Sequence, residues 1–250
     1  MSGHSKWANI KYRKESQDKK RSNLFSKLIK EIALQARNGE PNPDLNSGLA
    51  QAVERARAAN LPKDTIERAI KRATAGADAA AYEEITYEGY ASDGVAVLVR
   101  VVTDNRNRAA ASIRHVFSKH GGNLATGGSV AWLFQRRGIV TLTDLPEGAG
   151  HDEFLMSLIE SGAQEIEEDE GTIQISCAPA DLARLTERIR ASGATPSRSE
   201  LTMVPNSTVR VEGRGAEKVL KLINELDDNE DVQEVFANFD IPDEILAKIG

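Results

Sequence analysis

The chain has 250 residues, enough for two or three small domains, and its 40% hydrophobic content supports real cores although aromatics are sparse at 5%. It carries 32 Lys and Arg against 38 Asp and Glu, a formal net charge of −6. The single cysteine, Cys177, excludes an internal disulfide; no run of about 18 apolar residues reads as a membrane span; and the basic start lacks the apolar stretch of a secretory signal. The expected compartment is the cytoplasm, with no membrane partner.

The charge is unevenly placed. Residues 1–30 hold nine Lys or Arg against two acids, Glu15 and Asp18, a net +7, so residues 31–250 total −13. Clustered Lys and Arg release counterions on meeting phosphates, so a cationic head on an acidic body points to nucleic acid. A frayed, solvated terminus is also often Lys-rich. Here, however, Trp7 and Ile10 lie inside the basic stretch, which runs directly into an amphipathic segment. Residues 1–22 read as a basic arm. Its candidate nucleic-acid-binding residues are Lys6, Trp7, Lys11, Tyr12, Arg13, Lys14, Lys19, Lys20 and Arg21, with Trp7 available to stack on a base. The competing reading of Trp7 is a hydrophobic anchor that folds the arm onto the next domain.

Leu24, Leu28, Ile32 and Ala36 recur every four residues and predict a helix over 24–36, stopped by Asn38 to Pro43. A second helix is expected over about 45–59, broken at Leu61-Pro62. A third runs to about Ala73, opened by the capping-box spacing Asp64-Thr65-Ile66-Glu67. Its outer face carries Lys63, Arg68, Lys71 and Arg72. Residues 23–76 thus form a small helical domain, and Ala75 to Ala80 read as a linker. Residues 45–73 could mimic a helix-turn-helix, but few base-reading polar residues lie on the third helix.

The period then changes. Strands are expected at Ile85–Tyr90 and Val95–Val102, a helix from about Arg106 to His120 capped by Thr103-Asp104, and a strand at Val130–Phe134. Residues 138–204 follow the order β-α-β-β-α-β, the ferredoxin-like pattern, with Glu165, Glu167, Glu168, Asp169 and Glu170 as a solvated hairpin tip. A strand at Thr208–Val211, a helix at Gly215–Leu226 and a strand at Val232–Ala237 are left over. The economical solution returns them to the sheet of residues 82–136. The expected fold is α+β: an N-terminal three-helix domain followed by two ferredoxin-like α/β domains, the third domain (138–204) inserted in the second (82–136 plus 205–250).

Thr103-Asp104-Asn105-Arg106-Asn107-Arg108 lies where a strand ends and a helix begins, so Arg106 and Arg108 join the candidates as phosphate donors beside free helix N–H groups. The alternative is capping by Asp104, with the arginines pairing acids of the body. Catalytic chemistry is not indicated. His115 and His120 are five apart, the wrong spacing for two ligands on one helix face, and Gly213-Arg214-Gly215 lacks the rest of a phosphate loop. No metal, cofactor or small-molecule ligand is expected, and Cys177, flanked by Ile173, Ile175 and Ala178, reads as a buried, inert thiol.

GHSKWANI (Gly3–Ile10), NPDLN (Asn42–Asn46), NLPKDTIERAIK (Asn60–Lys71), YEGY (Tyr87–Tyr90), TDNRNR (Thr103–Arg108), HGGNL (His120–Leu124), GSVAWLF (Gly128–Phe134), MVPN (Met203–Asn206) and DVQEVFAN (Asp231–Asn238) together closely resemble the YebC/PmpR family across essentially the whole chain. Tyr12, Ala50 and the Ala91-Ser92-Asp93 turn depart from its usual pattern. The resemblance implies a helical domain plus two α/β domains and a non-enzymatic regulator of gene expression. Family members are described either as DNA-binding transcriptional regulators or as translation factors at the ribosome. The expected partner is therefore nucleic acid, either rRNA or tRNA on the ribosome or promoter DNA. The arm and its aromatics favour RNA.

Overall fold

The computed structural model describes residues 17–75, 81–143, 150–169 and 171–242. The expected linker 76–80, Glu170 and the arm up to residue 16 lie outside them. Helix α1 (Gln17–Asn38) is followed by α2 (Ser47–Ala58) and α3 (Lys63–Ala73). α1 begins well before Leu24, because Gln17 to Arg21 is a run of helix-compatible residues with Asp18 in the first turn. Lys19, Lys20 and Arg21 therefore sit on a helix rather than on an extended arm. Ile32, Ala33 and Ala36 pack against Leu49, Ala52, Val53 and Ala56 of α2 and Ile66, Ala69 and Ala73 of α3. Asn46 caps α2 by accepting from Leu49 N, and its amide also donates to Gln35 O at 2.9 Å. The expected capping box does not form: α3 starts at Lys63 behind Pro62, so Asp64 already lies inside the helix.

A hairpin of β1 (Glu83–Tyr90) and β2 (Ala96–Thr103) comes next, then α4 (Arg106–Lys119) and the short β3 (Asn123–Leu124). The chain then leaves this sheet. Val130–Phe134 is not a strand: Ala131–Leu133 is a 3-10 turn, and strand β4 runs from Phe134 to Leu142 through Gly138. The run Val-Ala-Trp-Leu-Phe fits the strand period, but its two ends serve different sheets. β4, α5 (His151–Glu160), β5 (Ala163–Asp169), β6 (Thr172–Cys177), α6 (Leu182–Ala191) and β7 (Arg198–Pro205) form a four-stranded sheet of order β5-β6-β4-β7, the ferredoxin arrangement. Residues 133–206 are one compact unit and the rest of the chain another. A Cβ at Gly138 would fall 2.7 Å from Cys177 Sγ and 3.0 Å from Leu182 Cβ, so this position of β4 admits only glycine.

The chain then adds β8 (Val209–Arg210), α7 (Gly213–Asp227), β9 (Val232–Ala237) and β10 (Phe239–Asp240). β9 pairs with β2, from Val97↔Ala237 to Val101↔Val232, completing the order β3-β1-β2-β9. This host sheet has the β1–β2 hairpin at its centre, whereas a ferredoxin sheet has its hairpin at one side. β8 does not join it and pairs in parallel with β10. Val97, Val99, Val101, Ile113, Phe117, Val219, Leu222, Ile223 and Leu226 form the host core. Val140, Leu142, Phe154, Leu158, Ile173, Ile175 and Leu185 form the core of the inserted unit.

Separate cores make separate folding an expected property. Residues 133–206 expressed alone should show one cooperative thermal transition, whereas truncation after Asn206, which removes α7 and β9, should unfold the host sheet. Circular dichroism melts of both fragments check this, and a 1–206 fragment melting like the full chain would contradict it.

Candidate nucleic-acid interface

Of the residues marked by the sequence, Lys6, Trp7, Lys11, Tyr12, Arg13 and Lys14 lie outside the described residues, and Lys19, Lys20 and Arg21 occupy the first turns of α1. The rest of α1 shows how this cationic segment is held. Two of the nine cations of the head serve the fold. Lys30 Nζ donates to Asp231 Oδ1 and to Glu230 O, each at 2.8 Å, and Lys27 Nζ donates to Asp227 O. Between them Glu31, only 4% exposed, accepts from Arg100 of β2 at 3.0 and 3.2 Å. Arg100 also donates to Glu84 at 2.8 Å and to Glu234 at 3.5 Å. Burial alone would lower the pKa of this guanidinium, but the bonds to Glu84 and the charges of Glu31, Glu84 and Glu234 raise it above the ordinary arginine range. Lys27, Lys30, Glu31 and Leu34 line one side of α1, so the helix meets the host domain through ions and its helical partners through carbon.

The Thr103–Arg108 segment resolves into two parts. The cap of α4 is Asn105, not Asp104: Asn105 Oδ1 accepts from Arg108 N at 3.0 Å, and Asn105 N donates to Thr103 Oγ1 at 3.1 Å. Asp104 instead pairs with the Arg108 side chain at 2.8 Å, and the same Nη2 reaches both Asp231 oxygens at 3.2 Å. The bond to Asp231, first of all, raises the Arg108 pKa. Arg108 thus faces Asp231 rather than a free helix terminus, and Arg106 remains exposed. The Gly213-Arg214-Gly215 turn is filled as well, since a Cβ at Gly215 would lie 1.8 Å from Asp93 Oδ2. A carboxylate therefore stands at the start of α7, where a phosphate loop would need an anion-free cradle. Cys177 is fully buried, and burial raises its thiol pKa. Among the described residues no group of three or more His, Cys, Asp or Glu is placed to hold a metal, and no helix is long and apolar enough to cross a membrane.

Two features escaped the sequence reading. Residues 105–143 contain no acid and six Lys or Arg, in a chain with 38 acids, so a charge-run scan would have found the segment. The other is Glu88, which is 6% exposed on β1. Its carboxylate accepts from the N–H groups of Gly128 at 2.6 Å, Val130 at 2.6 Å and Ala131 at 2.8 Å. Burial pushes its pKa up, but these backbone donors outweigh burial and hold it below the usual carboxylate value. No local pattern marks Glu88, because its partners lie about forty residues away.

The architecture defines an α+β protein with a helical N-terminal domain, a host sheet and an inserted ferredoxin-like sheet. Its positive charge gathers at one end: residues 1–76 hold 16 Lys and Arg against 8 acids, and residues 77–250 hold 16 against 30. Residues 5–76 match the TACO1/YebC protein N-terminal domain, and residues 82–239 match the TACO1/YebC second and third domain. A protein of Thermosipho melanesiensis named "Probable transcriptional regulatory protein" is 51% identical over 100% of this chain and 99% of its own length. One of the same name from Thermotoga maritima is 47% identical over 100% of this chain and 98% of its own. The crystal structure of a conserved hypothetical protein from Aquifex aeolicus is similar at a TM-score of 0.81, with 42% identity over 93% of this chain and 96% of that one. The chain belongs to the TACO1/YebC family.

Two substitutions test the internal bonds. Glu31→Ala strands Arg100 in a half-buried site and should cost about 3–5 kcal/mol in urea unfolding, while the double change Glu31→Leu with Arg100→Met should recover most of it. For Glu88 the folded pKa lies below the unfolded one, so its contribution is fully present above the unfolded value and is lost as pH falls through the folded one. Wild type should exceed Glu88→Gln in stability at pH 7, with the gap narrowing below about pH 4. Equal pH slopes for the two proteins would contradict this.

Proposed function

We propose that this protein is a non-enzymatic nucleic-acid-binding regulator of gene expression, acting in the cytoplasm as an RNA-associated translation factor at the ribosome. The observation that supports this most is the division of charge, a cationic first third on an acidic remainder. Such a chain meets phosphates at one end and is repelled elsewhere, so it needs a target that surrounds that end. Lys6, Lys11, Arg13, Lys14, Lys19, Lys20 and Arg21 supply phosphate contacts, and Trp7 and Tyr12 supply stacking. Arg106 adds a further exposed cation at the start of α4. Exposed Arg57, Lys63, Arg68, Lys71 and Arg72 on α2 and α3 extend the positive surface. α3 has no row of Asn and Gln to read base edges, which favours folded RNA over a duplex groove. The second reading is a DNA-binding transcriptional regulator. It is favoured by the name borne by the relatives from Thermosipho and Thermotoga.

Reversing Lys11, Arg13, Lys19 and Arg21 to Glu should abolish nucleic-acid binding without unfolding the protein. If about five phosphates are contacted, log affinity should fall with log salt at a slope of roughly −3.5 to −4.5, measured by anisotropy. To choose between the readings, the wild type should co-sediment with ribosomes and the reversed variant should not. Its effect on a reporter should persist when ready-made transcript is given to a purified translation system. A tight, sequence-dependent complex with one promoter duplex, without ribosome association at physiological salt, would overturn the RNA reading and establish the transcriptional one.

A further inference from the structure

The loop from Ala125 to Leu133 presents a large aromatic to solvent and is built to hold it still. Trp132 is 69% exposed. Its indole Nε1 donates to Ser129 O at 3.0 Å, and Tyr90 OH donates to the same oxygen at 3.1 Å. Ser129 is tied to Thr126 O through its hydroxyl at 2.7 Å and its N–H at 3.2 Å. Beneath, Glu88 gathers three successive-turn N–H groups, and its own backbone O accepts from Ala125 N at 2.8 Å. Val130, fully buried, anchors the crest from below. The indole is thus positioned before any partner arrives, so little ordering cost remains on binding.

The surroundings say what it would meet. A Cβ added at Gly127 or Gly128 would find no heavy atom within 4 Å, so the crest is open to close approach. The loop residues before Trp132 are small or polar (Thr126, Gly127, Gly128, Ser129), not the apolar ring that surrounds an aromatic hot spot in a protein interface. The whole segment 105–143 is free of acids. A single planar face on a polar, acid-free loop suits the π-face of a base beside its phosphates. We propose that this loop is a stacking platform on which Trp132 receives an unpaired RNA base, a second contact separate from the N-terminal arm. This rests on the RNA reading above.

The chain holds two tryptophans, so Trp7→Phe leaves Trp132 as the sole indole fluorophore of the full-length protein. Titrating that variant with single-stranded oligoadenylate should quench its emission, while inorganic polyphosphate should bind without quenching. Trp132→Ala should melt like wild type yet bind the oligonucleotide about 5- to 150-fold more weakly, and Trp132→Phe should recover much of the loss. RNA binding with unchanged Trp132 emission and unchanged affinity in Trp132→Ala would overturn the platform and leave the RNA reading standing. Absence of RNA binding by the wild type would overturn the RNA reading itself. Equal quenching by polyphosphate, or loss of a protein association with RNA affinity intact, would also refute base stacking.

Discussion

The bond between Glu31 and Arg100 sets the position of everything that precedes it. Glu31 is buried in α1, Arg100 is central in the host sheet, and each has further charged partners that fix its orientation. A buried ion pair adds little net stability over carbon of the same shape, but it penalises every arrangement that separates the charges. An apolar contact would tolerate sliding or rotation of α1 against the sheet. A carboxylate that must find one guanidinium, flanked by Lys30 on Asp231, does not. The first turns of α1 carry Lys19, Lys20 and Arg21, so the root of the cationic segment points in one direction relative to the host domain.

Asp231 extends the same logic into the sheet. It receives Lys30 from α1 and Arg108 from α4, and its own N–H donates to Asn229 Oδ1 at 2.9 Å. Asn229 in turn donates to Ser112 Oγ at 2.8 Å. The turn between α7 and β9 is therefore the meeting point of three helices. Because β9 closes the host sheet against β2, a chain that has detoured through the inserted unit must return before α1 can be seated. The helical domain and the sheet are coupled through residues far apart in sequence, which explains why they cluster as one compact unit while residues 133–206 stand apart.

Much of this was legible in the sequence, and the failures share a cause. The helices of residues 24–73 follow from apolar spacing, and the inserted sheet follows from its β-α-β-β-α-β order. Val130–Phe134 was misread because strand periodicity cannot say that Leu133 ends one unit and Phe134 starts another. Asp104 and Asn105 are both good caps, and only the position of Asp231 decides that Asp104 turns to Arg108 while Asn105 takes the cap. The head's +7 was counted correctly, yet Lys27 and Lys30 belong to the fold because their partners lie some two hundred residues away. Local pattern shows residue types and periods; it does not show which charges will find each other across the fold.

The remaining charges divide cleanly by that criterion. A cation paired to a buried carboxylate, such as Lys30 or Arg108, has little left to offer a phosphate, since the pair would have to open. Arg106, Lys71 and Arg72 are exposed on their helices. At physiological ionic strength a surface charge is felt over only about 8 Å, so an acidic body does not cancel a basic surface placed beyond that distance. It does repel a polyanion from every other face. Under the proposed reading the body's negative charge is therefore part of recognition: it confines phosphates to the cationic end and to the acid-free stretch around Trp132, which narrows the orientations in which a large RNA can be met.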